Sequence, residues 1–513
     1  LSSLSLKGAT LVPPFSPSVS DYYVRCDEGA LNLEVSMTAP SGTTTSLQVE
    51  TPGAPSGTLR AVGSKAEQQT PVTLDENEAL VATATLGTSS QEYWIRCVPP
   101  NFPKVQWTTH PTGCTRRPGY YLIGTMTGGK GFAIVFDTNG APVWYADPGH
   151  ANPELEVYDV ETLSAGLISF SAGGWRVDQL GGATTYPVVD GYDSGTPVTP
   201  DEHELRILPN GHYIGFSSAG ETVNLTGVTV PAPGGGVMTY GPDTTIYACY
   251  IQEFDPTTGT IYWEWSATDH FNPATAWVLK GDGDLAETSA EPFHCNSIDV
   301  DPANGNLLVS ARHMNSAFYI EKATKKVLWK MGGSDCSSTE AGAKACYDDP
   351  PPVYVPVDDP FFGQHDARLQ PGWKQTCSGG SGQISLFDDE SYQNKPARGV
   401  VYDVTVAGGC GDGGASTVGK TGAKRWWQYK NWVDDGGVPS NVTGSFRIGK
   451  DGSRVIGWGQ SDPTPNGLVF TEVDDLGNDL LDLICPDGSS SYRAVKVPLT
   501  AFDRKVLRTS SGL

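Results

Sequence analysis

The chain has 513 residues, with 61 glycines, 38 prolines and a formal net charge of −24. That length exceeds one ordinary core and suits a large domain plus a small one, and the Gly and Pro content favours tight turns over long helices. The acidic excess disfavours nucleic acid and anionic membranes as partners, and no apolar run approaches the ~18 residues of a membrane span.

Ten cysteines without a CxxC pair suit an oxidising compartment and argue against structural zinc. The opening LSSLSLKG has neither an initiator Met nor a signal-peptide core and reads as a processed form. Asn224-Leu225-Thr226 and Asn441-Val442-Thr443 are formal glycosylation sequons. These features together read as a secreted or extracellular protein.

Residues 1–100 form the first unit. DYYVRC, ending at Cys26, and EYWIRC, ending at Cys97, are near-copies of an alternating aromatic and β-branched strand. If they are neighbours, Cys26 and Cys97 bridge and staple a small domain. The stretch LSSLSLKGATLVPPFSPSVSDYYV resembles the opening of cadherin-like β-sandwich repeats, which implies a spacer or adhesion module without chemistry of its own. VPPNFPKV then reads as a stiff linker.

From about residue 105 to the C-terminus a hairpin theme recurs: strand, Gly- or Asn-rich turn, strand, acidic turn, Trp-bearing strand. It appears in 131–147, 203–217 with 251–266, 294–333, 365–391 and 445–483, with a degenerate copy near 165–190. About six units of short antiparallel strands predict an all-β fold, a six-bladed β-propeller behind the small N-terminal β-sandwich. Periodicity alone also admits a large sandwich or a β-helix.

Three histidines hold one position in this pattern. His203 lies six residues before Pro209, His294 seven before Asp301 and His365 six before Pro371, so each opens the first strand of its unit. In a propeller those starts surround one mouth of the channel. The hairpin HCNSIDVDPANGNLLVSAR turns at DPANGN, which brings His294 opposite Arg312, and alternation puts Asn296 on the face of His294 and Cys295 on the other. Imidazoles that attack or donate protons, a guanidinium fork and a carboxamide suit transfer of a tetrahedral anionic group. No Walker loop supports nucleotide chemistry, GDGD at 281–284 reads as a solvated turn, and a three-histidine metal site is an alternative reading that the nearby cation Arg312 argues against.

FHCNSIDVDPANGNLLVSARHMNSAFYIEKATKKVLWKMGG, FFGQHDARLQP and ISLFDDES resemble the PAPS-independent arylsulfotransferases over roughly residues 105–500. The resemblance implies a propeller with its site at the channel and a nucleotide-free, ping-pong transfer. It implies that His365 takes the sulfuryl group covalently from an aryl sulfate donor and passes it to a hydroxyl acceptor. Arg312 and His294 would hold the sulfuryl oxygens, Asn296 would be a polar neighbour and His203 a further active-site histidine. No cofactor is expected. The segments 218–247 and 334–360 match nothing in that family. A lyase or hydrolase of an anionic polysaccharide or ester, and a non-catalytic binding propeller, are the competing readings.

Overall fold

The computed structural model describes every residue except 27–28, 54–59, 64–69, 112–115, 127–130, 149–154, 181–198, 232–235, 280–288, 338, 341–342, 409–419, 431–439, 441, 461–466 and 511–513. The sequence-predicted GDGD turn and the Asn441 sequon therefore lie outside the described residues. What is described is all-β: strands throughout, a few 3-10 turns, and one α-helix at Arg504–Thr509.

Residues 1–98 build two facing sheets. Ser3–Lys7, Leu31–Thr38 and Thr70–Leu74 form one, while Asp21–Arg25, Ser89–Val98, Ala79–Leu86, Thr44–Glu50 and Arg60–Gly63 form the other. Alternate residues such as Leu33, Val35, Met37, Leu47 and Val49 meet between them, as period-2 patterning requires. The DYYVR and EYWIRC strands are parallel neighbours with Val24 beside Cys97, and Cys26 and Cys97 form a disulfide.

The linker expectation needs correction. Phe102 is buried against Tyr23, Phe132 and Tyr145, and the Arg25 guanidinium donates to the Phe102 carbonyl at 2.8 Å. The aromatic residue inside VPPNFPKV outweighs its prolines: burying a Phe is worth about 1.5–3 kcal/mol, enough to hold the segment down. The front sheets are also tied to the far end of the chain, where Arg508 pairs with Asp21 at 2.7 and 2.8 Å.

Six sheets of three to five strands follow among the described residues, and none closes on itself. Five of them begin with the strands Tyr158–Ser164, Thr199–Ile207, Cys295–Val300, His365–Leu369 and Ser445–Ile448. The sixth is edged by Ala494–Val497, paired with Tyr120–Gly124. These six edge strands touch in succession, and Ala494–Val497 touches both Ser445–Ile448 and Tyr158–Ser164. The sheet opened by Ser445–Ile448 takes its last strand from Gln106–Thr109, more than 300 residues upstream. Apolar side chains fill the spaces between successive sheets, including Trp265 against Phe318, and Tyr319 stacked on Trp329.

Candidate functional site

The hairpin that opened the site in the sequence folds as its turn residues dictate. Val300 pairs with Leu307 and Cys295 with Ala311, and Asp301 accepts from the backbone of Ala303 inside the turn. At the open end the Arg312 N–H donates to the His294 carbonyl at 3.0 Å, so the two residues are adjacent. Strict alternation, however, breaks here. The register slips between Cys295 and Ser297, which leaves Asn296 at a bulge, and His294 sits at φ 48°. Cys295 is disulfide-bonded to Cys249 of the neighbouring sheet, as expected of a structural cysteine.

The structure brings the predicted residues together. The His203 and His294 rings meet edge to face with centroids 5.0 Å apart. Tyr492 joins this pair to the third histidine, lying 5.6 Å from His203 and 6.2 Å from His365. Asn296 donates to the carbonyl of Gln364, next to His365, at 2.7 Å, while its Oδ1 is buried with no protein partner among the described residues. His203 and His294 line a small open cleft with Asp201, Glu291, Tyr247 and Ser217. Arg312 and His365 lie deeper, 2% and 1% exposed.

Every one of the three histidines has a carboxylate on Nδ1, a feature that residue spacing alone did not reveal. Asp201 holds His203 at 2.5 Å, Glu291 holds His294 at 3.0 Å and Asp389 holds His365 at 2.7 Å. At His203 and His365 the carboxyl group hydrogen-bonds Nδ1 and leaves Nε2 as the nitrogen facing the site, whereas Glu291 stands beside His294 as an ion-pair contact only.

The environments then separate the rings. Burial pulls His203 down, but the Asp201 carboxylate outweighs it and the net shift is upward, toward imidazolium. His365 goes the other way: burial, then Arg312 and the other histidines, hold it well below the ordinary value, as the neutral base. Burial also pushes the Asp389 carboxyl up, against the pull of Arg312. At Glu291 burial acts upward, but His294 and His313 hold the carboxyl down at about 2.

Glu291, His294 and His313 have their ligand atoms within 4.8 Å of one another, the spacing of a metal set. The third member does not fit. Arg312 Nη1 donates to His313 Nε2 at 2.8 Å, which puts the ring proton on Nδ1, where it is given to the Glu291 carbonyl at 2.5 Å. Both nitrogens of His313 are spoken for. Burial, His294 and Arg312 push this ring down to about 3, so it is a neutral strut that orients Arg312.

Beneath the histidines a buried ion network laces all six sheets. Arg493 pairs with Asp159 at 2.6 Å and Glu204 at 2.9 Å, and donates to the Asn296 carbonyl at 2.5 Å. Arg368 joins Glu204 to Asp366 and donates to the Ile298 carbonyl, and Arg447 joins Asp366 to Glu161. These residues stand on the edge strands that touch in succession or, for Arg493, immediately before one, so the network ties those strands together.

The part of the chain that carries this cluster matches a known family. Residues 199–409 match the arylsulfotransferase (ASST) family. His203, His294, Asn296, Arg312 and His365 all fall inside the arylsulfotransferase match, as do Asp201, Glu291 and Asp389; Tyr492 and Arg493 fall outside it.

No curated protein matches the chain. Among solved structures it is similar to a DUF4784 family protein from Bacteroides caccae, at 9% identity, TM-score 0.30, and coverage of 97% of this chain and 99% of that one. It is also similar to an auxiliary nutrient binding protein from Bacteroides ovatus, at 10% identity, TM-score 0.24, covering 87% and 97%.

Local signals existed for some of the missed partners. Asp201 lies two residues before His203 and Glu291 three before His294, close enough for a turn to fold each back. Asp389 sits inside ISLFDDES but 24 residues from His365, and it reaches the ring because Gly379–Asp388 pairs with His365–Leu369.

Proposed function

We propose that this chain is a secreted arylsulfotransferase-like enzyme, which moves a sulfuryl group from an aryl sulfate ester to a hydroxyl acceptor without a nucleotide cofactor. The six sheets of the body are read as the blades of a propeller spanning about 105–513, with the histidines at one mouth of its channel. Residues 1–100 are read as a cadherin-like sandwich that serves as a spacer. The observation that carries the reading is the neutral, buried His365 held by Asp389 beside Arg312, inside the family match at 199–409.

The donor enters through the cleft lined by His203 and His294, and its small tetrahedral head goes down to Arg312 and His365. Arg312 and His294 hold the non-bridging oxygens, and Asn296 supplies a further polar contact. His365 Nε2 attacks sulfur: an N–S bond forms, the S–O bond to the aryl oxygen breaks, and the phenolate takes a proton from cationic His203. In the second half the acceptor hydroxyl gives its proton to the now neutral His203 and its oxygen attacks sulfur. The S–O ester forms, the N–S bond breaks and His365 is free again. Both halves balance with no oxidant, metal or nucleotide.

Intact-protein mass spectrometry after brief exposure to a panel of aryl sulfates tests this directly. A mass gain of one sulfuryl group, absent in His365→Ala, is expected. Transfer activity that persists in His365→Ala would sink the covalent route, and turnover without any covalent adduct would favour a hydrolase or lyase.

A further inference from the structure

Beside the turn that carries Arg312 lies a buried lysine that the transfer steps leave unused. Lys330 belongs to the strand Val327–Met331 and is 2% exposed. Its neighbours Trp329 and Met331 fill the space between two sheets, and alternation turns Lys330 the other way. Its Nζ donates to the carbonyls of Gly332 and Ser334, at 2.8 and 2.7 Å. Burial pulls its pKa down to about 7, and the charge of Asp335 opposes that pull.

The two carbonyls belong to a turn pressed onto the one that presents Arg312. Gly332 and Gly333 both have positive φ, 77° and 60°. A Cβ on Gly332 would fall 2.7 Å from the Asn315 carbonyl oxygen, and one on Gly333 2.2 Å from that of Met314. Ser316 Oγ joins the two turns, lying 2.8 Å from the Met314 carbonyl oxygen and 3.1 Å from that of Gly332. The Arg312 turn closes at Asn315, whose N–H donates to the Arg312 carbonyl at 3.1 Å and whose Oδ1 accepts from Gly363 at 2.8 Å. Ser334 in turn donates through Oγ to the Thr275 carbonyl at 3.2 Å. Just beyond Thr275, the N–H groups of Trp277 and Val278 both donate to the carbonyl of His313, the residue that orients Arg312.

Burying an ammonium is costly, and a methionine would fill the same space without that cost. What the lysine supplies and a methionine cannot is a pair of donors for two inward-facing carbonyls. We propose that Lys330 is a positioning residue for Arg312: by fixing the turn Gly332–Ser334 it backs the turn Arg312–Asn315 and sets where the guanidinium points. This deepens the transferase reading of the site and rests on it for what Arg312 does to the sulfuryl oxygens. A planar fork has to meet two oxygens at once, so a small rotation of its backbone is enough to cost turnover.

The test is a double-mutant cycle on the full chain, read by kcat/KM with a fluorogenic umbelliferyl sulfate, beside calorimetric binding of inorganic sulfate. Lys330→Met is expected to lower kcat/KM about tenfold or more and to weaken sulfate by a similar factor. In an Arg312→Lys background, where the two-pronged fork is already gone, the same substitution should cost less than about twofold. Losses that multiply in the double variant would mean that Lys330 acts elsewhere, and the proposal falls. It falls equally if Lys330→Met leaves turnover and sulfate binding unchanged. Ser316→Ala loosens the same pair of turns without touching a charge, and should cost about threefold with the same dependence on Arg312; that variant decides the matter if Lys330→Met does not fold. Sulfate binding that weakens in Lys330→Met, in a protein that forms no sulfuryl adduct and turns over no aryl sulfate, supports the clamp and removes the transferase, so the two readings fail separately.

Discussion

Asp201 and Asp389 make the same contact, a carboxylate on imidazole Nδ1, and yet their loss should be felt differently. Asp201→Asn removes what raises His203 and leaves burial, which lowers it. A leaving group that needs a proton from imidazolium is then served only at lower pH. In the native protein kcat/KM should fall as pH rises through the raised value of His203, and in Asp201→Asn that fall should move to lower pH. The shift should be clear with phenyl sulfate and small with a nitrophenyl sulfate, whose phenolate leaves unaided. An alkaline limb that stays in place for phenyl sulfate removes the acid role of His203. Asp389→Asn loses the acceptor that sets the His365 tautomer and should lower kcat with both donors alike, by about two orders of magnitude or more. Equal turnover in that variant would show that Asp389 does not position the ring.

At the scale of elements, the site depends on how two strand entrances are held. Gly363 lies at φ 68°, and a Cβ there would fall 2.1 Å from the Ser391 Oγ. Gly363→Ala must therefore displace the segment that leads into His365. It should lower transfer by at least tenfold while costing only about 1–3 kcal/mol of stability, as read by kcat/KM beside denaturant unfolding. Stability lost with activity intact would place the strain elsewhere. The Cys249–Cys295 disulfide holds the other entrance, next to His294. Replacing both cysteines by serine should cost about 2–4 kcal/mol and be visible as a lower Tm.

These entrances also show how far the sequence could be read. The hairpin at 294–312 was legible because DPANGN encodes its own turn and the flanking alternation encodes its register. The bulge at Asn296 was not, since it is set where Gln364 of the adjacent sheet meets the Asn296 side chain. The three histidines were found by their shared position ahead of a turn, a local signal. Tyr492 and Arg493 carry no such signal. They reach the site from a strand edge more than 100 residues beyond His365, and only the succession of sheets brings them there. The front unit was legible in its paired cysteines, whereas its tight seat on the body was not, because Asp21 and Arg508 are recognised as partners only once both are in place.

For the whole molecule, the buried ion network is the feature most exposed to single changes. Arg493 is fully buried between Asp159 and Glu204, and Arg493→Met would leave two carboxylates without their shared cation. Breaking a buried pair from one side costs about 3–5 kcal/mol, and chemical denaturation should show that loss. A loss below about 1 kcal/mol would mean that the remaining arginines redistribute to cover the carboxylates. Arg508→Ala removes the bond between the C-terminal helix and Asp21 of the front unit. Limited proteolysis of that variant should release residues 1–100 sooner than from the native protein, with transfer activity retained; unchanged cleavage would show that Phe102 and its aromatic neighbours suffice to seat the unit.

Two long-range strand pairings also set a clock. Tyr120–Gly124 waits for Ala494–Val497, and Gln106–Thr109 for Asp479–Ile484. During synthesis, at roughly 5–20 residues per second, the early strands emerge from the ribosome on the order of 20–75 s before their partners exist. Through that interval their unpaired backbone edges are exposed to any other strand nearby, including the same segment on a second nascent chain. The joint that knits the two ends of the body together is thus also where a growing chain is most open to pairing with the wrong molecule.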